Sequence, residues 1–433
     1  MRLEILFRTR WWLFYAPILI ASATLLWLSF TKWLPMPPQQ LTIGAGVSGG
    51  GYSLLAVQYR KQLEELGVQV SIATTTQSHT GLRQLTEGDG IDLAFVNGMK
   101  AGPSTDTQFV ALAAIEREPL WVFSRVPAMT RLSELRGLRI GVPNYDALQE
   151  RVTQIVLTQA QLTRTDVTLV GLPRDRLANE FLDGSVDAVI LMGSGRNDLV
   201  RSMIRSQGVQ LLGLDQAGRL LGQEKALRPF VLPQGVIEFR GDVPSRDLTM
   251  VATDLHLLSR ASMHPALQRA IFTAATRIHE IPSFLQHMGE FPSVIGLDFP
   301  ISAASLAAAR GQRPWLENLL PYWWAQMAQW LLYAALPILL ITAAILAWIP
   351  NWFEWRVQAL LQNFYGELKF IETEMDDVAS ERPIAMREML QRLDEMELRI
   401  MQMQLPTNHT NHWYTLRSHL SDARDKLLEM RAR

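Results

Sequence analysis

The sequence contains no cysteine among its 433 residues, which excludes disulfide bonds, thiolate metal sites and cysteine-based catalysis. Its 41 basic and 42 acidic residues leave a formal net charge of −1, so there is no electrostatic basis for binding nucleic acid. The eight histidines form no H-E-x-x-H pattern, and Ser194 lacks the G-x-S-x-G surroundings of a hydrolase nucleophile. We therefore predict a protein that is not an enzyme and that uses no cofactor or metal.

Charge is also missing from two stretches long enough to cross a bilayer. Arginines at positions 2, 8 and 10 precede an apolar run, and no charged residue lies between Asn318 and Phe353. Tryptophans near the ends of both runs are typical of membrane interfaces. The sequence predicts transmembrane helices over residues 11–32 and 325–350, and a buried helix of a soluble protein is the alternative for each.

The arginines before the first span place residues 1–10 in the cytoplasm, because basic residues favour the inner side. The predicted location is the bacterial inner membrane, with residues 41–320 outside the cytoplasm and residues 351–433 returned to it. Pro35, Pro37 and Pro38 make residues 33–40 a stiff spacer.

Between the spans, strand-like and helix-like segments alternate, which is typical of an α/β fold with parallel strands and crossover helices. Its first unit is Leu41 to Leu63, where an apolar strand runs into the glycines of Gly44 to Gly51 and then into an amphipathic helix. Free backbone N–H groups at such a helix N-terminus favour an anion. Gly44, Gly46 and Gly49 also fit the dinucleotide pattern G-x-G-x-x-G, but the next strand ends in threonines where that pattern needs an acidic residue.

The chain also resembles a known family over about residues 41 to 320. The resemblance rests on the glycine run followed by Tyr52 and on a series of motifs in a fixed order, namely Ser78 to Leu85, Gly88 with Ile91 to Val96, Ser133 to Gly137 with Arg139 to Val142, Asp183 to Ala188, His279, and Phe291 to Ser293. These are similar to the TAXI-type solute-binding proteins associated with TRAP transporters. The resemblance implies a two-lobed periplasmic-binding-protein-like fold that closes on a small solute, usually one with a carboxylate.

Ligands of open α/β sheets bind at the carboxyl ends of strands, so the candidate ligand-binding residues lie in the turns that follow them. In the first lobe these are Val47, Ser48, Gly49, Gly50, Gly51, Tyr52, Thr75, Thr76, Ser78, Thr80, Asn97 and Gly98. In the second lobe they are Asn144, Tyr145, Gly193, Ser194 and Arg196. Simple helix capping by Asn144, packing of Tyr52 and solvation of Arg196 are the structural alternatives. Asp146, if it points inward, favours a zwitterion or an amino group over a simple dicarboxylate. The expected solute is anionic or zwitterionic.

Apolar residues repeat at intervals of three and four in the cytoplasmic tail and predict three coiled-coil-like helices, separated near Pro383 and Pro406. The helices either form an intramolecular bundle or associate with a second copy, and their methionine-rich seams suit varied cytoplasmic partners. Two functions remain open. The chain serves a separate TRAP-type permease, or it is a transmembrane sensor or scaffold that signals through the tail.

Overall fold

A computed structural model describes residues 2–47, 50–75, 82, 85–86, 90–100, 108–143, 147–214, 226–238, 242–378, 383–402 and 410–432. It divides the chain into two compact units, Met36–Ala328 and the combination of Met1–Pro35 with Gln329–Arg433. The strands are β1 (Gln40–Val47), β2 (Gln69–Thr75), β3 (Leu93–Asn97), β4 (Phe109–Ser124), β5 (Arg139–Pro143), β6 (Thr168–Leu172), β7 (Ala188–Met192), β8 (Gln210–Leu211), β9 (Arg228–Leu232) and β10 (Leu248–Arg260). The helices are α1 (Arg2–Leu28), α2 (Gly51–Glu65), α3 (Ala147–Gln159), α4 (Arg174–Leu182), α5 (Asp198–Arg205), α6 (Pro265–His279), α7 (Ala303–Ala309), α8 (Tyr322–Trp330), α9 (Leu336–Val378), α10 (Pro383–Gln402) and α11 (Thr410–Ala432).

The first lobe of the unit 36–328 is a parallel sheet covered by helices. β1 lies between β2 and β3, with Ile43 opposite Ile72 on one side and opposite Leu93 on the other. Tyr59 and Leu63 of α2 pack into the same core as Ile271 of α6. His264 caps α6 by accepting a hydrogen bond from the N–H of Ala266, and Pro265 stands at the first helical position, where its missing N–H costs nothing.

The second lobe repeats the strand, turn and helix pattern. β5 pairs in parallel with β6 and with β7, and α3 and α4 supply the crossovers. All five residues of β7 are buried, as expected for a strand covered on both faces. The fold is therefore a two-lobed α/β architecture.

Two long strands pass through both lobes. The first half of β4 pairs with β10 beside the first-lobe sheet, and residues 120–124 of β4 pair with β7 of the second lobe. β10 runs in the opposite direction, pairing with β9 through residues 248–252 and with β3 through residues 255–259. The continuous strand order is β2-β1-β3-β10-β4-β7-β5-β6. Both strands therefore cross from one lobe to the other, and the central residues of each lie at the junction between the lobes.

Some predicted segments differ from the structure. The sequence predicts two short strands at Phe109 to Ile115 and Leu120 to Ser124, whereas they are one strand, because the polar residues between them also pair with β10. The sequence also predicts a strand from Gln234 to Phe239, but residues 234–237 form turns and bends, Glu238 makes only an isolated bridge with Val243, and Phe239 lies outside the described residues. The strand that pairs with β10 lies earlier, at Arg228–Leu232. The predicted short strand at Asp247 to Ala252 is the first half of β10.

Two helical stretches are long and apolar enough to span a membrane, Tyr15–Trp33 and a span within Tyr322–Met375, and the unit made of residues 1–35 and 329–433 contains the first and most of the second. Within this unit the hydroxyl of Thr342 donates a hydrogen bond of 2.9 Å to Ser22, and the indole N–H of Trp330 donates one of 3.2 Å to Ser29. Many of the apolar side chains are exposed, such as Ile20 at 65 % and Leu340 at 61 %.

The C-terminal part of the same unit is a helical bundle. The second half of α9, together with α10 and α11, buries one shared core, and these three helices follow the predicted heptad-like pattern. The core residues are Val357, Leu361, Leu368, Ile371, Met375, Met389, Leu393, Met396, Ile400, Leu416, Leu420, Ala423 and Leu427. The tail therefore packs upon itself within one chain.

Candidate functional site

Two carboxylates lie in the middle of β4, where this strand passes from one lobe to the other. Glu116 and Glu118 are only 7 % and 2 % exposed. Because they are two positions apart on a strand, their side chains leave the sheet on the same face. Buried carboxylates need hydrogen-bond donors, so the groups around them define the candidate site.

Glu118 is held by donors from the first lobe. The hydroxyl of Tyr52, at the start of α2, donates to both carboxylate oxygens at 2.9 and 3.1 Å. The amide nitrogen of Asn97, at the end of β3, donates to the same carboxylate at 2.5 Å and also lies 3.5 Å from the sulfur of Met192 in the second lobe. Burial and the neighbouring Glu118 raise the pKa of Tyr52 well above its ordinary value, so its hydroxyl remains a donor.

Glu116 faces the second lobe. Burial raises the pKa of Glu116 from 4.5 to about 7, a hydrogen bond with Ser194 and the charge of Arg196 oppose the rise, and the neighbouring Glu118 adds to it. Desolvation is the largest of these causes. Ser194 and Arg196 lie directly after β7, in the loop where Asn197 caps α5 by accepting from the N–H of Leu199.

Aromatic rings form the wall beside the carboxylates on the first-lobe side. Phe95 of β3 lies between Tyr52 and Tyr59, with ring centroids 5.9 and 5.6 Å away. The ring of His279, at the end of α6, is 5.8 Å from that of Tyr59. Within the described residues, neither the Tyr59 hydroxyl nor either His279 ring nitrogen has a hydrogen-bond partner. Burial lowers the pKa of His279 to about 3, so its ring is neutral.

The turn before α2 has the geometry that its glycines predict. Gly46 has a φ of 64°, in the left-handed region that favours glycine, and the pairing register of β1 with β2 shifts between Gly44 and Val47. Gly50 is the N-cap of α2 and offers no side chain to its first N–H groups. A Cβ atom on Gly51 would lie 3.7 Å from the side-chain nitrogen of Asn197, so the two lobes approach each other here.

The structure brings part of the predicted site together. Tyr52 and Asn97 from the first lobe, with Ser194 and Arg196 from the second, surround the carboxylates of β4. Val47 and Thr75 lie opposite each other at the ends of β1 and β2. The predicted residues Ser48, Gly49, Thr76, Ser78, Thr80, Asn144 and Tyr145 lie outside the described residues.

Two of the glycines predicted to bind ligand, Gly193 and Gly98, make close contacts with other parts of the protein. The carbonyl of Gly193 accepts a hydrogen bond of 2.9 Å from the indole of Trp121 in the second-lobe core. Gly98 is buried, and a Cβ atom there would lie 2.6 Å from the Thr253 hydroxyl and would also collide with the Asp298 carboxylate. Gly98 therefore permits close packing between the end of β3 and β10.

A second cluster of charged side chains is centred on Arg117 of β4 and Arg228 of β9. Arg117 pairs with Glu290 and donates a 3.1 Å hydrogen bond to the carbonyl of Leu285. Arg228 pairs with Asp254 and lies 3.3 Å from Asp298. These pairs attach the segment after α6 to β4, β9 and β10.

Glu116 and Glu118 were not among the candidate ligand-binding residues predicted from the sequence. The signal was present, because the run Glu116, Arg117, Glu118 interrupts two apolar segments that the structure joins into one buried strand. The described residues contain no group of three or more His, Asp or Glu side chains that could hold a metal ion.

Comparisons with known proteins give similar solved structures, each at low sequence identity and with a TM-score below 0.5. No protein-family model and no curated protein matches the chain. Similar solved structures include the periplasmic sulfonate-binding protein SsuA from Methylobacillus flagellatus KT, with 13 % identity, a TM-score of 0.33, and coverage of 55 % of this chain and 67 % of that one. A mutant of arginine-bound ArgBP from T. maritima matches with 13 % identity, a TM-score of 0.35, and coverage of 55 % and 96 %. An ancestral arginine-binding protein bound to arginine matches with 17 % identity, a TM-score of 0.34, and coverage of 56 % and 92 %.

Proposed function

We propose that this chain is a membrane-tethered receptor whose two lobes close on a small solute. The observation that carries this proposal is the meeting of side chains from both lobes at the carboxylates of β4. Tyr52 and Asn97 reach them from the first lobe, and Ser194 reaches them from the second. A ligand that contacts both lobes favours the closed form by its higher affinity for that form.

Membrane tethering is supported by the exposure of the apolar helices. Only 11 % of the most apolar part of each candidate span is buried, which is unusual for a core helix of a soluble protein. Trp27, Trp33, Trp348 and Trp355 are exposed near the ends of the apolar stretches, where tryptophan suits a lipid interface. The proposed orientation keeps the two-lobed unit outside the cytoplasm and both termini inside.

Service to a separate transporter is the first proposed role. It is supported by the resemblance of residues 41–320 to TAXI-type proteins, whose partners are TRAP-type permeases. The part of the chain that the structure describes contains two candidate spans, too few for the repeated helical bundles that enclose a transport path. The receptor would therefore deliver its solute to another membrane protein.

A sensing role is the second candidate, because a membrane anchor alone does not need the C-terminal helical bundle. Its three helices bury a continuous apolar core and keep charged outer faces with ion pairs such as Arg399 with Glu367 at 3.0 Å. In this role the bundle would recruit a cytoplasmic partner. Removing residues 356–433 and measuring both uptake of the solute and its downstream response separates the roles. Lost uptake would support a tail needed for transport, and unchanged uptake with a lost response would support sensing.

Ligand binding is tested on the full chain in lipid nanodiscs, by thermal shift and calorimetry against amino acids, carboxylates and amines. We expect at least one compound to raise the melting temperature. Gly51→Trp should abolish this shift, because a large side chain beside Asn197 keeps the lobes apart. Leu54→Trp is the matched control, since Leu54 lies on the same helix and is exposed. Retained binding by Gly51→Trp would contradict the proposed site.

A further inference from the structure

A group of exposed apolar side chains lies in the chain directly before the second candidate span. Trp315, Leu319, Leu320 and Trp324 are all exposed, Leu319 at 71 %, and all four fall within residues 315–324. Single exposed apolar residues are common on protein surfaces, but several together mark a surface that meets a partner or a membrane. We call residues 310–324 the pre-span segment.

The pre-span segment is fixed to the first lobe from below. Its short 3-10 helix, Trp315–Asn318, turns Leu316 into the interior of the protein. Glu317 of this helix pairs with Arg269 of α6, and Gln326 of α8 donates a hydrogen bond of 2.8 Å to the same carboxylate. A charge-assisted pair with a further donor holds the backbone in one position. The exposed side chains therefore stand on a segment that belongs to the fold of the first lobe.

Both chain connections to the candidate spans lie at this edge of the lobe. The helical stretch that contains the second span begins at Tyr322, which is buried in the same core as Ile271 of α6. The hydroxyl oxygen of Tyr322 lies 3.5 Å from the carbonyl oxygen of Pro38. Pro38 follows Trp33, the end of the first candidate span, and the residues between them reach at most about 18 Å when fully extended. If the spans cross a bilayer, this edge of the first lobe is held close to its surface.

The end of the proline-containing spacer is part of the lobe. Residues 33–40 are predicted from the sequence to be a stiff spacer, yet Pro37 is buried. The carbonyl of Gln39 accepts a hydrogen bond of 2.8 Å from the N–H of Gln69, at the start of β2. Only the first part of the predicted spacer can therefore separate the lobe from the bilayer.

The composition of the pre-span segment matches the surface of a bilayer. Tryptophan and leucine suit the boundary between headgroups and acyl chains. The exposed residues Arg310 and Arg313 add positive charge, which anionic lipids attract. Glu317 is the one acidic residue of the segment, and it is paired with Arg269. The charge and the apolar content of the segment are thus complementary to an anionic lipid surface.

We propose that the pre-span segment binds the surface of the bilayer and places the first lobe on the membrane. This inference rests on the proposed membrane tethering and specifies a contact that tethering alone does not require. The exposed tryptophans and leucines insert at the headgroup boundary, and Arg310 and Arg313 bind anionic headgroups. The first lobe then stays in place, and closure on a solute is a movement of the second lobe.

The test measures the depth of single residues in nanodiscs that hold the full chain. The protein contains no cysteine, so Leu319→Cys labelled with bimane carries one reporter. Apolar side chains of interfacial segments lie ~5–10 Å into the headgroup boundary. A lipid with a spin label near the top of its acyl chain should therefore lower the bimane fluorescence about twofold or more. Leu320→Cys is a second reporter on the same segment, should the first variant fold poorly.

Two further positions serve as controls. Leu182→Cys places the same label on an exposed position of α4 in the second lobe, where the spin-labelled lipid should have little effect. Leu340→Cys places it on an exposed position of the second predicted span, where a lipid with a spin label deeper in the acyl chain should quench it. Circular dichroism and the melting temperature show that each variant is folded.

Lipid charge tests the role of the arginines. Quenching at position 319 should be stronger in nanodiscs of phosphatidylcholine with phosphatidylglycerol than in nanodiscs of phosphatidylcholine alone. The double substitution Arg310→Gln and Arg313→Gln should remove this difference, because it removes the charge that anionic headgroups attract. Arg131→Gln is the matched control, since Arg131 is an exposed arginine of the second lobe.

The outcomes separate this inference from the tethering proposal. Quenching at position 340 without quenching at 319 or 320 would overturn the surface contact and leave the tethering intact. Equal quenching at 319 and 182 would also overturn it, as would quenching at 319 that the lipid charge and the arginine substitutions leave unchanged. Absence of quenching at position 340 as well would overturn the tethering together with this inference.

Discussion

The burial of the Glu116 carboxyl group lowers the free energy of unfolding at neutral pH. Its carboxyl is removed from water on folding, and its pKa rises from 4.5 to about 7. Between these two values the unfolded chain has lost the proton that the folded chain still holds. The unfolded state then binds fewer protons, so the free energy of unfolding decreases as the pH rises.

The Glu116→Gln variant should remove this dependence. A shift from 4.5 to about 7 corresponds to about 3 kcal/mol lost between pH 4.5 and pH 8. The variant should approach the wild type in stability below pH 5 and exceed it above pH 7, because an amide stays neutral throughout. Urea unfolding at pH 5 and pH 8, followed by the fluorescence of Trp121 and the other tryptophans, measures the difference. A wild-type protein that gains stability from pH 5 to pH 8 relative to the variant would contradict the assignment.

Gly98 and Gly193 provide a second comparison at the scale of single residues. Both were predicted as ligand-binding glycines, but a Cβ atom on Gly98 would collide with Thr253 and Asp298, whereas one on Gly193 would meet no atom within 4 Å among the described residues. We expect Gly98→Ala to lower the free energy of unfolding by about 1–3 kcal/mol, the usual cost of overpacking. Gly193→Ala should change it by less than about 0.5 kcal/mol. Equal effects in thermal unfolding would contradict this distinction.

At the scale of secondary structure elements, periodicity predicted helices better than it predicted strands. Pro265 and the apolar positions that follow at helical spacing predict a helix from Pro265 to Ile278. In the structure α6 spans Pro265–His279, one residue further. β4 was divided in two because its charged centre interrupts the apolar pattern. In the folded chain that centre is buried by contacts from Tyr52 and Asn97, residues far away in sequence, which no local pattern reports.

The candidate site shows the same limit. The turns after β1, β3 and β7 were predictable because strand ends in α/β folds converge. Glu116 and Glu118 come from the interior of a strand, and their role depends on β4 crossing between lobes. That crossing follows from long-range pairing with β10, so the residues that set the charge of the site were not predictable from turn positions.

The bundle formed by the second half of α9 with α10 and α11 allows a prediction about helix packing. Leu393 is 2 % exposed within the core, whereas Leu398, on the same helix, is 57 % exposed. Leu393→Ala should destabilise the bundle by about 2–5 kcal/mol through lost burial and a residual cavity, and Leu398→Ala should cost less than about 1 kcal/mol. Limited proteolysis of residues 383–432 in the full chain, compared at equal protease concentration, measures this difference. Similar cleavage rates in the two variants would show that the helices do not share this core.

At the scale of the whole molecule, the absence of cysteine makes the proposed membrane topology directly testable. Single cysteines introduced by Ser133→Cys in the second lobe and by Ser418→Cys in the tail are both placed at exposed positions. In intact spheroplasts, a membrane-impermeant maleimide should label the first variant and spare the second. After permeabilisation both should be labelled. Labelling of the tail cysteine in sealed cells would reverse the proposed orientation.

Both crossing strands are continuous through the junction, and this constrains how the lobes can separate. Without a flexible loop at that point, opening has to be taken up as added twist in β4 and β10, spread over several residues. Groups on such a torsion axis are displaced little, while groups far from it are carried through wide arcs. Glu116 and Glu118 would thus keep their mutual spacing in an open receptor, while Tyr52 and Ser194 move away from them. A solute that enters the open form would first be selected by its electric charge, and closure of the two lobes around it would then select by size.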